Sequence, residues 1–285
     1  MTEDSRNTID PQPQTLAGKT VVMSGGSRGI GLSIALQAAK SGANLVLLSK
    51  TDTPHPSLEG TIHTAVEQIN QAGGTGLAVV GDVRKDEDVA RMVDSAVQRF
   101  GGIDIVINNA SAINLAKTDD VDMKRYDLMM DINVRGAFLL SKTALPHLRK
   151  SAHPHILTLS PPLNLDPRWA GAHLAYTMSK YGMSMTTLGL AEELKDEGIG
   201  VNSLWPATLI DTAAIRNLPG GGTMIKGARD ARIVAEAATA ILASDPRSCS
   251  GNFFTDEQVL SAAGVTDFDA YATDPASQLV PDIFL

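Results

Sequence analysis

The sequence predicts an α/β protein built on a doubly wound, parallel, seven-stranded sheet in three layers, αβα. Short β-branched runs alternate with longer helical patterns, which implies parallel strands joined by crossover helices. Runs such as residues 103–108 (Ile-Asp-Ile-Val-Ile-Asn) are nearly continuously apolar, as expected of strands covered on both faces. A glycine-rich turn at residues 24–31 (Ser-Gly-Gly-Ser-Arg-Gly-Ile-Gly) separates the first such run from the first helical pattern.

Taken in order, the first strand is Thr-Val-Val-Met-Ser at 20–24, followed after the turn by a helix over 29–41 and a second strand, Asn-Leu-Val-Leu-Leu-Ser, at 44–49. A helix over 61–72 leads to a strand at 77–80, and a helix over 86–100 leads to the strand at 103–108. A long helix over 123–149 precedes a strand at 155–160, whose last residue stands before Pro161 and is thereby pushed to extended backbone. A helix over 173–197, a strand at 200–204, a helix over 229–243 and a strand at 252–255 complete the alternation, with no internal repeat. Residues 1–17 are polar, carry Pro11 and Pro13, and are read as a flexible leader without the features of a secretory signal. One dinucleotide-binding and catalytic domain is expected over 18–285, with residues 261–285 as a tail.

The chain has 285 residues, 43% hydrophobic and 20% charged, which suits one large domain with a sizeable core. A formal net charge of −8 argues against a nucleic-acid surface or an anionic membrane as the main partner. The single cysteine, Cys249, excludes an intrachain disulfide framework and fits a reducing compartment, so a cytoplasmic location is expected. No stretch approaches the roughly 20 apolar residues that span a bilayer. His153, His155, His55 and His63 lack ligand spacing, so no metal is expected.

In sheets of this kind ligands bind beyond the carboxyl ends of the strands, where the strand order reverses. Gly25, Gly29 and Gly31 fall there. Their missing side chains permit a tight turn, close approach of a pyrophosphate and close helix packing, and the helix N-terminus supplies donors. Ser24, Ser27, Arg28 and Ile30 of the same turn are candidates for cofactor contact. Downstream, Tyr176 and Lys180 stand four residues apart on one helical face, so an ammonium can lie near the phenol and favour its ionised form. A phenol so placed is a usable general acid or base.

With these motifs in order, roughly residues 18–255 resemble the short-chain dehydrogenase/reductase family of Rossmann-type oxidoreductases. The family's Thr-Gly-x-x-x-Gly-x-Gly is matched by residues 24–31, with a serine first. Its aspartate after the third strand is matched by Asp82, in Gly-Asp-Val with Val83, and the resemblance implies contact with the adenine amine. The Asn-Asn-Ala-Gly signature is matched by Asn108-Asn109-Ala110-Ser111, with the glycine replaced. The relay asparagine is matched by Asn133, and the Pro-Gly after the sixth strand by Pro206-Ala207. The resemblance also implies a dimer or tetramer built on two long helices, with the tail a candidate to extend across that interface.

Nucleotide choice is set at the end of the second strand, where an acid would hold the ribose hydroxyls of NAD. Lys50 takes that place and, with Arg28, favours NADP through its 2′-phosphate. Asp52, two residues on, leaves NAD open. The family's serine stands thirteen residues before the tyrosine, which here is Leu163. The strand-end hydroxyl is Ser160, so either the loop is longer and Ser160 serves, or Pro161 has replaced the serine. The words Ser-Pro-Pro-Leu-Asn-Leu at 160–165 and Lys-Tyr-Gly-Met-Ser-Met at 180–185 are similar to a narrower group, the hydroxysteroid dehydrogenase-like 2 proteins. That likeness hints at a lipid-like substrate, and the appended sterol-carrier domain common in the group is not expected here.

The implied reaction is hydride transfer between nicotinamide C4 and a carbonyl or secondary-alcohol carbon, the protein supplying position and protons. Tyr176 would exchange the proton, Ser160 would hydrogen-bond the oxygen, Lys180 would lower the tyrosine pKa and hold the nicotinamide ribose, and Asn133 would link Lys180 to solvent through water. The segment from Trp205 to Thr223, with three consecutive glycines, is expected to set substrate shape as a lid or as a plain surface loop. Alternatives are a dinucleotide-binding sensor or scaffold with weakened catalysis, and a lyase or isomerase on the same fold.

Overall fold

A computed structural model describes residues 9–10, 15–54, 59–217 and 220–285. Seven parallel strands form one sheet: β1 (Thr20–Ser24), β2 (Asn44–Ser49), β3 (Thr75–Val80), β4 (Ile105–Asn108), β5 (His155–Thr158), β6 (Gly200–Trp205) and β7 (Phe253–Thr255). Their order is β3-β2-β1-β4-β5-β6-β7, so the winding reverses between β1 and β4. Divergent crossovers leave a crevice beyond those two carboxyl ends.

The apolar runs are explained by burial on both faces. Side chains alternate along a strand, and Val21, Met23, Leu45, Leu47, Ile105 and Ile107 enter one buried cluster while Val22, Val46, Leu48 and Val106 enter another. The first cluster is closed by α1 (Gly29–Lys40), α2 (Ile62–Gln71) and a helix at the far end of the chain, through Ile34, Ile69 and Ile241. The second is closed by α3 (Asp86–Phe100) and the helices that follow β4 and β5, through Met92, Leu140 and Leu190.

Several expectations are corrected. The helix expected over 123–149 is α4 (Met123–Met129), a π-helical segment (Met130–Gly136) and α5 (Ala137–Leu148) in series. A short α6 (Pro167–Ala172) precedes the long α7 (Leu174–Glu193). The segment after β6 carries α8 (Ala213–Arg216) and α9 (Gly221–Met224), so two of the three glycines are helical; Leu218 and Pro219 of the expected lid lie outside the described residues. Helix α10 is Arg232–Ala243, and α11 (Asp256–Ala262) follows β7 directly. Ile9 and Leu16, in the stretch read as a loose leader, are buried in the first cluster.

The tail packs on its own chain. After α11 it returns over the carboxyl end of β6, where Leu209 N–H donates to Val280 O at 2.9 Å and Asp282 N–H donates to Ala207 O at 3.1 Å. Phe284 is fully buried.

Candidate active site

The crevice beyond β1 and β4 holds a cavity of about 410 Å³, lined by Gly25, Ser27, Arg28, Gly29, Ile30 and Gly31 of the turn, by Lys50 and Thr51 after β2, by Asp82 and Val83 after β3, and by Asn109 to Ser111 after β4. Gly25, Gly26 and Gly29 have φ of +82°, +93° and +56°, the left-handed backbone that glycine tolerates. Gly31 is required for a different reason: a Cβ there would come within 2.3 Å of Asn109 Nδ2. Helix α1 opens onto the cavity with no side-chain cap and no acid in its first turn, so its N-terminal amides are available to an anion. These features fit a dinucleotide pyrophosphate.

Ser24 behaves otherwise than expected. It is buried and does not line the cavity; its hydroxyl accepts from the Asn109 and Ala110 amides at 3.3 and 3.2 Å, tying the turn to β4. Asn109 Nδ2 also donates to Ser24 O at 3.2 Å. Ser111, where the resemblance calls for glycine, needs no glycine backbone, since Phe284 is the one non-glycine residue with positive φ among the described residues.

Asp82 forms a fork with Arg84, whose Nε and NH2 donate to its carboxylate at 3.0 and 2.6 Å, and Lys50 Nζ stands 3.5 Å away. Burial opposes its ionisation, but the Arg84 hydrogen bonds and the two cations hold the carboxyl down at about 2. Arg28 NH2 donates to Gly60 O at 3.2 Å. Asp52 is turned from the cleft to His63, at 2.7 Å.

A second cavity, of about 290 Å³, adjoins the first and shares Ile30, Asn109, Ser111, Thr212 and Ala214 with it. Tyr176 and Lys180 open into it from α7, with Pro206 beyond β6. Its walls are otherwise mostly apolar, among them Ile113, Leu159, Trp205, Leu209, Ile215 and Met224. Lys180 Nζ donates to Leu159 O at 2.7 Å, contacts Met183 Sδ at 3.3 Å and lies 5.0 Å from the centre of the Trp205 ring.

Ser160 is not in this cavity. It falls beyond the end of β5 with no exposed surface, and its hydroxyl shares a 2.8 Å hydrogen bond with Ser203 Oγ, which in turn donates to Thr187 Oγ1 at 2.8 Å. The hydroxyl expected to meet the substrate oxygen is spent on a buried chain joining β5, β6 and α7. The side-chain amide of Asn133 is engaged on two sides. Its Oδ1 accepts from Ala112 N–H at 2.7 Å while Nδ2 donates to Ala112 O and Ser179 Oγ, both at 2.9 Å. Its amide therefore clamps the loop after β4 to α7.

The electrostatics also depart from the simple picture of a lysine activating a phenol. Burial pushes the Tyr176 phenol above the ordinary tyrosine value, and the carboxylate of Asp282 raises it further. Burial pulls Lys180 down to about 7, against the opposing pull of Asp282. Asp282, absent from the sequence expectations, lines the same cavity; burial pushes it up to about 7, its Oδ1 accepts from Ile283 N–H at 2.7 Å, and Lys180 counteracts the rise. No local pattern around residue 282 announces it.

Three comparisons bear on this arrangement. Hydroxysteroid dehydrogenase-like protein 2 of Danio rerio is 53% identical over 270 residues, covering 95% of this chain and 64% of that protein. The Homo sapiens protein of the same name is 51% identical over 275 residues, covering 96% and 65%, so the chain spans slightly under two thirds of these relatives. A crystal structure of a short chain dehydrogenase from Mycobacterium thermoresistibile superposes with a TM-score of 0.90 at 47% identity, covering 95% of this chain and 96% of that one. The family of short chain dehydrogenases matches residues 19–219, from the first strand through the segment that walls the second cavity. The chain belongs to the short-chain dehydrogenase family.

Proposed function

We propose that the chain transfers a hydride between the nicotinamide of NADP(H) and a carbonyl or secondary-alcohol carbon on an apolar, lipid-like molecule. The observation that carries this reading is the union of the two cavities: a cleft suited to a dinucleotide runs into an apolar chamber holding Tyr176 and Lys180. In the reductive direction Tyr176 protonates the nascent alkoxide. Lys180 holds the ribose, and Gly25, Ser27, Arg28, Gly29, Ile30, Gly31, Asp82, Val83, Asn109 and Pro206 seat the cofactor. The preference for NADP rests on Lys50 and Arg28 at the cleft and on Asp52 facing His63 instead. A small-molecule substrate, a cytoplasmic setting and a homodimer or homotetramer complete the reading. The last is supported by Phe138 of α5 and Met178, Met185 and Leu188 of α7, all exposed.

A panel of ketones and secondary alcohols, run with NADPH and NADH, tests the proposal. Stoichiometric consumption of NADPH, lost in Tyr176→Phe, is expected. Turnover without net cofactor consumption points to a lyase or isomerase. One observation favours a second reading, a dinucleotide-binding sensor: the hydroxyl of Ser160 is withdrawn from the chamber. Tight NADPH binding with no turnover on the panel would favour it.

A further inference from the structure

Lys180 and Asp282 are the two charged side chains of the second cavity, one cation and one acid in an otherwise largely apolar chamber. An ammonium withdrawn from water needs a counter-charge. The direct hydrogen-bonding contacts of Lys180, Leu159 O and Met183 Sδ, carry no formal charge. Asp282 is held in place from several sides. Its amide is bonded to Ala207 O, its carboxylate to the Ile283 amide, and the next carbonyl, Ile283 O, accepts from Trp205 Nε1 at 2.9 Å. Phe284 then anchors the strap, its ring packed 5.4 to 6.1 Å from the rings of Trp169, Tyr176, Tyr181 and Trp205.

We propose that Asp282 is a positioning residue of the active site: the counter-ion that keeps Lys180 protonated and thereby sets the pH window in which the site works. The inference rests on reading this cavity as the seat of hydride transfer. The charged and titratable groups acting on the pair come from two helices. Lys180 and Tyr176 face Asp282 from α7, and Asp256 at the start of α11 acts on it as a second acid. Asp256 Oδ1 is occupied by the Ala207 and Glu257 amides. Among the described residues Asp282 is the acid that lines the cavity with Lys180.

Asp282→Asn keeps the shape and the acceptor for Ile283 while removing the charge. Competitive acetylation of Lys180 with acetic anhydride, read by mass spectrometry across pH, reports its titration without turnover. The midpoint is expected to fall in Asp282→Asn, since the variant removes the acid that shares the cavity with Lys180 and favours its ionised form. Asp282→Glu should restore most of it. The alkaline limb of the kcat/KM profile should move in the same direction, with NADPH affinity unchanged. A Lys180 midpoint and pH profile identical to wild type in a folded Asp282→Asn overturn the proposal. Tyr176→Phe separates the two readings: wild-type NADPH-consuming turnover in that variant refutes Tyr176 as the proton donor and this cavity as the seat of the reaction, whereas the Lys180 midpoint still decides the role of Asp282.

Discussion

Ser160 illustrates how far residue types alone carry. A hydroxyl at a strand end before a proline is legible in the sequence, but its direction is set by a partner 43 residues away, the Ser203 hydroxyl, which is itself bonded to Thr187. Ser160→Ala is therefore expected to leave turnover close to wild type and to cost about 1 kcal/mol of stability for the lost hydrogen bond, measured by urea unfolding. Gly25, Gly31, Asp82, Asn109, Tyr176 and Lys180 were legible because short spacings and position after successive strands fix their placement. Gly31→Ala tests the glycine logic. Its Cβ would strike Asn109 Nδ2 at 2.3 Å and Gly26 Cα at 3.0 Å, so NADPH affinity should fall at least about tenfold, ~1.4 kcal/mol, in a fluorescence titration.

At the level of elements, all seven strands were foreseen, because short apolar runs, several of them buried on both faces, leave a strong local signal. The interior of the rod from Met123 to Leu148 was not, since a widened turn changes which carbonyl each amide meets without changing hydrophobic spacing. That widening is where Asn133 is presented to both Ala112 and Ser179. Strand β5 carries a different consequence. His155 at its start is wholly buried, its Nε2 3.0 Å from Ser244 O, and burial first, then His153, holds it at about 3. Its unfolded value is near 6.5, so the unfolded chain binds the extra proton between those limits. This contribution to stability is present above about pH 6.5 and is lost as pH falls towards 3, with a limiting slope of about 1.4 kcal/mol per pH unit. Urea unfolding at neutral and mildly acidic pH should show a smaller acid loss for His155→Asn than for wild type.

Across the whole molecule, the strap joins the last residues of the chain to α6, α7 and β6, and this is where sequence reading had least purchase. Asp282 is brought to the cavity of Tyr176 by a tail whose Phe284 packs among four aromatic rings, and no short-range pattern links residues 164 and 284, whose hydrogen bond spans 120 positions. Phe284 takes φ of 78°, a backbone state uncommon for a bulky residue and sustained by the packing around it. Phe284→Ala is expected to cost about 3 to 5 kcal/mol where the core cannot collapse, and to lower turnover while the glycine turn and NADPH binding survive. Differential scanning calorimetry beside an NADPH titration checks both halves.

The strap also imposes an order of events on folding. Its docking surface exists only after α6, α7 and β6 have come together, and closing so long a loop is slow relative to local structure. Most of the dinucleotide cleft, by contrast, is drawn from residues before position 112. A chain refolding from denaturant should thus regain the ability to quench NADPH fluorescence before it regains turnover, passing through a species that holds cofactor beside an unfinished catalytic wall.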